Sequence, residues 1–169
     1  MDRTAIEQLL SEVLGIRRIL WLNHGYLAGD DTDSHIDTLA RFCAPDHICY
    51  VTCPNVADEH YSALAAMEEE LQEFRQADGA PYKLTPLPWP DAIHDEDGER
   101  LPATYANFLI INEAVLLPVY GVDQDQDAIA VMKEIFPTRA IVPINCRPLI
   151  RQHGSLHCVT MQIPAGVVS

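Results

Sequence analysis

Hydrophobic and polar positions alternate along this chain in two distinct rhythms. Ile6, Leu9, Leu10, Val13 and Leu14 recur at helical spacing, and RRILWL (17–22) follows as a short apolar run that predicts a buried strand. TLARFC (38–43) and HICYVTC (47–53) read as strands around the turn APDH, and ADEHYSALAAMEEELQEFRQ (57–76) reads as a long helix. YKLTPLPW (82–89) then predicts a strand. After the polar stretch DAIHDEDGERLPA (91–103) the order recurs. TYANFLII (104–111) and AVLLPVY (114–120) are strands around Asn112-Glu113, DQDAIAVMKEIF (125–136) is a helix, and RAIVPI (139–144) is a strand.

The unit strand-strand-helix-strand therefore occurs twice, over 38–89 and 104–144, at a spacing of about 65 residues, which predicts an α/β fold built from repeated modules. Residues 1–22 resemble the last helix and strand of a preceding module, and LHCVTMQI (156–163) the first strand of a following one. A closed array of such units needs more residues than 1–169 supply. The expectation is a partial domain, part of a longer protein or half of an assembly of two chains.

With 169 residues, 48% of them hydrophobic, the chain has material for a real core and is not compositionally disordered. No run of 18 apolar residues is present, and the N-terminus is an amphipathic helix rather than a charged start before an apolar stretch; no membrane association is expected. A net charge of −14 opposes nucleic acid and anionic membrane as partners and favours a small cation, although acidity also serves solubility alone. The five cysteines (Cys43, Cys49, Cys53, Cys146, Cys158) contain no CxxC pair, and free thiols fit a cytoplasmic location.

Two segments carry chemistry. HGSLHCVTMQIP (153–164) sets His157 beside Cys158. On a strand, neighbours face opposite ways, so His157 is not expected to be the base for Cys158; it shares a face with Val159, Met161 and Ile163, which predicts a structural role in packing. For Cys158 the bland alternative is a small buried hydrophobe. HGYLAGDDTDSHIDTLARF (24–42) gathers Asp30, Asp31, Asp33, His35 and Asp37 after a predicted strand end. A calcium loop counted from Asp31 fails, because Ile36 and Phe42 fall where glycine and glutamate are required. Zinc on His35, Asp37 and Cys158 lacks a second histidine at helical spacing. A solvated acidic turn with Asp33 as a cap is the bland reading.

Combined, the segments offer a cysteine nucleophile, a histidine general acid/base on a distant loop, and carboxylates, Asp31 and Asp37, for a planar cation. On an extended stretch His35 and Asp37 would point to one side. That set suits attack on a guanidinium carbon, with forked hydrogen bonds from carboxylates selecting the cation.

GDDTDSHIDTLARF (29–42), LPATYANFLIIN (101–112), IFPTR (135–139) and GSLHCVTMQIP (154–164) together resemble the C-terminal half of the agmatine deiminase and Porphyromonas-type peptidyl-arginine deiminase family, in order and over essentially the whole chain. The resemblance implies a pentein-type propeller of strand-strand-helix-strand modules around a central site. It implies Cys158 as nucleophile, His35 as general acid/base and Asp37 as a guanidinium contact, with no catalytic role for His157. Asn107 joins the substrate-binding residues as a buttress of the rim, a structural hydrogen bond being its alternative. The implied reaction turns agmatine into N-carbamoylputrescine and ammonia through a covalent thiouronium, without cofactor or metal; peptidyl-arginine is the alternative substrate, and a non-catalytic assembly half the alternative function. A thiolate is required near neutral pH although a free cysteine has a pKa of about 8.5; protonated His35 or the substrate cation would stabilise it. Where the family has a run of glycines before the His-Cys pair, Gln152 and His153 stand before Gly154. No segment matches the family's N-terminal half, which supplies a further carboxylate. The chain is expected to be a truncated or split deiminase, weak or inactive alone, completed by an N-terminal half or a homo-oligomer.

Overall fold

Asp2 opens the first helix. Its side chain accepts the N–H of Ala5 at 2.9 Å, and Gly15, at φ 68°, closes the helix in the left-handed region where glycine carries no steric penalty. The computed structural model describes residues 1–30, 34–163 and 166–167. In chain order the elements are α1 (Arg3–Leu14), α2 (Ile36–Leu39), β1 (Ala40–Ala44), β2 (His47–Val51), α3 (Tyr61–Glu73), β3 (Lys83–Leu87), β4 (Leu109–Ile110), β5 (Ala114–Val119), α4 (Gln124–Ile135), β6 (Ala140–Asn145) and α5 (Arg147–Ile150), followed by a 3-10 turn at His157–Val159.

Two three-stranded sheets result, ordered β1-β2-β3 and β4-β5-β6. In each, the first pair is antiparallel and the second parallel, the crossover being made by α3 in one and α4 in the other. The central strands are the apolar ones, β2 buried throughout and β5 nearly so. Helix α3 turns Leu64, Met67 and Leu71 inward, and α4 turns Ala128 and Met132, the i, i+3/i+4 spacing of one buried face. Both sheets share one continuous core. Pro118 sits inside β5 without a donor, at a level beyond the two-residue reach of β4, so no ladder bond is lost there.

Three segments depart from the sequence pattern. RRILWL (17–22) is half-exposed and not a strand, because no sheet edge among the described residues pairs with it, and a strand is stable only when paired. Of 104–111 only Leu109 and Ile110 join a sheet. Residues 101–108 instead form a buried loop whose polar groups are met by side chains: Thr104 N donates to the Tyr120 hydroxyl at 3.1 Å, Ala106 N to Thr104 Oγ1 at 3.2 Å, and Thr104 Oγ1 to Thr38 O at 2.7 Å. LHCVTMQI is not a strand either. Its first residues coil into the 3-10 turn, and Val159, Met161 and Ile163, expected to pack with His157, are 54%, 85% and 56% exposed.

Candidate functional site

The carboxamide of Asn107, fully buried in the 101–108 loop, organises the thiol segment. Its Oδ1 accepts the N–H groups of His157 (2.8 Å) and Cys158 (3.3 Å) and lies 3.4 Å from Cys158 Sγ, while its backbone carbonyl also accepts the His157 N–H at 3.1 Å. The same amide donates through Nδ2 to Asp37, at 3.1 Å to Oδ2 and 3.2 Å to the backbone carbonyl. One side chain thus fixes the start of the 3-10 turn and the first turn of α2 relative to each other. Arg41 of β1 holds the loop from behind: its Nη1 donates to Phe108 O at 2.9 Å and Ala106 O at 3.4 Å, the carbonyls on either side of Asn107.

Asp37 and His35 do not lie on an extended stretch; Asp37 is in the helical turn α2 and His35 is its N-cap. Both nevertheless line a cavity of about 380 Å³ with Asp30, Gln152, His153, Gly154, Cys158 and Val159. His35 is exposed and its backbone N–H is held by Asp30 Oδ2 at 3.1 Å. Asp37 Oδ2 is engaged twice, by Asn107 and by His157 Nδ1 at 2.7 Å. The partly buried ring of His157 therefore serves a carboxylate rather than the apolar face expected for it, because the 3-10 turn removes the strand alternation on which that expectation rested. Asp31 and Asp33 lie outside the described residues.

Cys158 is the exposed thiol of the five; Cys49, Cys53 and Cys146 are buried and Cys43 is half-buried. Gly154 packs so closely beneath it that a Cβ there would stand 3.3 Å from Cys158 Cβ, tighter than side chains tolerate without a shift. Ser155 is anchored by the Tyr120 hydroxyl at 2.8 Å, and His153, at φ 65°, reaches across to Gly29 O at 2.9 Å. Among the described residues no group of three His, Cys, Asp or Glu side chains is placed to hold a metal ion, and no helix is long and apolar enough to cross a membrane. Asn107, Asp37, His35 and Cys158 converge as a set. His157, His153 and Arg41 join them without having been read as site residues, and Asp30 comes from the acidic segment already noted; His157 beside the cysteine and His153 four residues before His157 were the hints in the sequence.

Repeated strand-strand-helix-strand units that bring a thiol, imidazoles and carboxylates to one cavity define an α/β protein of the pentein class. A solved structure from Porphyromonas gingivalis, provisionally named an arginine deiminase, is 58% identical with a TM-score of 0.95 over 98% of this chain and 49% of that one. The C. jejuni agmatine deiminase with substrate bound is 39% identical with a TM-score of 0.86 over 93% of this chain and 45% of that one. The agmatine deiminase of Stutzerimonas stutzeri is 31% identical across 99% of this chain and 50% of its own length. Residues 1–164 match the Porphyromonas-type peptidyl-arginine deiminase description, and the chain belongs to that family. It spans about half the length of the curated relatives it matches.

Proposed function

We propose that this chain carries the nucleophile and the proton-transfer group of a guanidine hydrolase, with agmatine as substrate. The observation that carries the reading is the convergence of Cys158, His35 and Asp37 on one cavity, with Asp37 held in place by Asn107 and His157. The names of its relatives, agmatine deiminases from C. jejuni and Stutzerimonas stutzeri, support the substrate.

In this reading the guanidinium lies against Asp37, whose Oδ2 is occupied by two protein donors while its other oxygen receives none from the described residues. Cys158 Sγ, as thiolate, forms a bond to the guanidinium carbon, and the C=N electron pair moves to nitrogen. The tetrahedral adduct collapses with cleavage of one C–N bond, the leaving nitrogen taking a proton from His35 and departing as ammonia. A thiouronium on Cys158 remains. His35 then takes one proton from water as the water oxygen bonds to carbon; the new hydroxyl gives its proton to the released ammonia as C=O forms and the C–S bond breaks, returning the thiolate and leaving the ureido product and ammonium. Asp31 belongs to the substrate carboxylates by its place in the acidic segment. A second half, or a second copy of the chain, completes the clamp, and five free cysteines suit the cytoplasm.

Ammonia release from agmatine and from a peptidyl-arginine, each with Cys158→Ala as control, tests this. Release from agmatine that disappears with the thiol is the expected result. Faster release from the peptide would transfer the assignment to the peptidyl substrate, and release that survives Cys158→Ala would refute the mechanism.

A further inference from the structure

A buried polar cluster that the proposed reaction leaves unused centres on His60, the residue before α3. Its ring is fully buried, stacked on Tyr26 with centroids 5.1 Å apart and tilted against Trp89 at 4.9 Å. His60 Nδ1 lies 2.6 Å from Asp58 Oδ1, and Asp58 is forked by Arg100 at 3.1 and 3.0 Å. On the other side, Ala28 N–H donates to Nε2 at 2.8 Å. A backbone N–H can only donate, so Nε2 presents a lone pair, and the ring proton sits on Nδ1 facing Asp58.

What Ala28 leads to gives this bond its meaning. Gly29, at φ 80°, packs so tightly on the Arg100 carbonyl that a Cβ would collide with it, and its own carbonyl meets His153 Nδ1 at 2.9 Å. Asp30 Oδ2 holds the His35 backbone N–H at 3.1 Å. Three consecutive residues therefore join the buried imidazole to both histidines that line the cavity, His153 beside the thiol loop and His35 at the head of α2.

We infer that His60 is a positioning residue of the Cys158 cavity: its unprotonated Nε2 pins the Ala28–Asp30 segment from which His35 and His153 are placed. The inference rests on the deiminase reading only for its effect on turnover. The charged and titratable groups around the ring are Asp58 and Glu59 beside it in sequence, Arg100 from the facing turn, and Tyr26, whose hydroxyl lies 3.5 Å from Glu59. Burial lowers the pKa of His60 against the opposing effect of the hydrogen bond it donates to Asp58. The Ala28 bond is therefore intact above the ordinary histidine range and is lost as pH falls through the lowered value, when Nε2 becomes a second donor facing the Ala28 donor.

The test compares His60→Leu, which removes the acceptor, with His60→Gln, whose amide oxygen can still meet Ala28. In the 169-residue chain, nitrogen-15 resonances of the His60 ring in the wild type report an unprotonated Nε2. With His60→Leu, Ala28 amide exchange accelerates at least tenfold and the ring resonances of His35 and His153 shift; with His60→Gln both return toward wild type. For agmatine turnover, kcat falls about tenfold in the leucine variant with KM within twofold, and the glutamine variant recovers most of it. Unmoved His35 and His153 resonances in the leucine variant would overturn the inference, as would moved resonances with unchanged kcat. Should His60→Leu not fold, acid titration of the wild type decides: loss of Ala28 protection must coincide with His60 protonation and with movement of the His153 ring. A wild type that releases no ammonia even with the other half of a relative added would sink the deiminase reading and leave the resonance arms to judge His60.

Discussion

Asn107 is the residue on which the site's geometry turns, because its one carboxamide bonds both the Cys158 turn and Asp37. Asn107→Ala removes the side-chain acceptor of the Cys158 N–H and the amide donor to Asp37, while the His157 N–H keeps the backbone carbonyl of residue 107; a polar group left without its partner costs about 1–3 kcal/mol where water cannot replace it. The expected outcome is a lowered unfolding midpoint together with a kcat reduced at least a hundredfold. Asn107→Asp is the sharper variant, since it sets a second carboxylate about 3 Å from Asp37 Oδ2, where like charges repel; its activity, measured from pH 5 to 8, should be higher at the acid end, where one carboxyl of the pair can stay protonated. Glu70 offers a pH test away from the site. Burial raises its carboxyl, but Asn23 and the backbone and ring of His24 donate to it and bring it down to about 2. A depressed carboxyl contributes stability above the ordinary glutamate value of about 4.3 and loses it as pH falls through about 2. The gap in urea midpoint between wild type and Glu70→Gln should therefore be full at pH 6 and shrink steadily below pH 4; a gap independent of pH would contradict this. Cys158, His35 and Asp37 were legible in the sequence as residue types suited to a guanidinium. The engagement of Asp37 by His157 was not, because it depends on a 3-10 turn that no hydrophobic period announces.

At the level of elements, the second sheet hangs on Asp125 in the first turn of α4. Its carboxylate accepts Tyr105 OH at 2.7 Å, Gly121 N at 2.7 Å, Tyr120 N at 3.1 Å and Val122 N at 3.3 Å, which fixes the connection from β5 to α4 and ties it to the 101–108 loop. Asp125→Ala should cost about 3–5 kcal/mol in chemical denaturation, and a loss under 1 kcal/mol would show that the loop finds other partners. Gly29→Ala should disturb the cavity, because it combines a positive φ with a collision against Arg100. Helices α3 and α4 were readable from the spacing of the face they bury, and strands β2, β3, β5 and β6 as short apolar runs between polar turns, β2 and β5 being the buried ones. The 101–108 loop misled because it is apolar and buried like a strand, yet its hydrogen bonds go to Thr104 and Tyr120 side chains rather than to a neighbouring strand. The bonds from Thr104 to Tyr120 and Thr38 span 16 and 66 residues and leave no local trace.

For the molecule as a whole, the doubled strand-strand-helix-strand order was visible as a repeat, and the match over half the length of its relatives gives that repeat its context. A net charge of −14 draws cations toward the surface, so KM for agmatine should rise with ionic strength while kcat stays level. Turnover by this chain should increase at least tenfold on mixing with the separately produced other half of a relative; unchanged turnover would mean that the chain, alone or as a homo-oligomer, builds the whole clamp. The central claim is that Cys158 bonds the guanidinium carbon, and peptide mass spectrometry of the chain quenched in acid during agmatine turnover tests it most directly. An amidino adduct on the peptide containing Cys158, missing from Cys158→Ala, is the predicted result; ammonia release with no adduct on any cysteine at any quench time would contradict it.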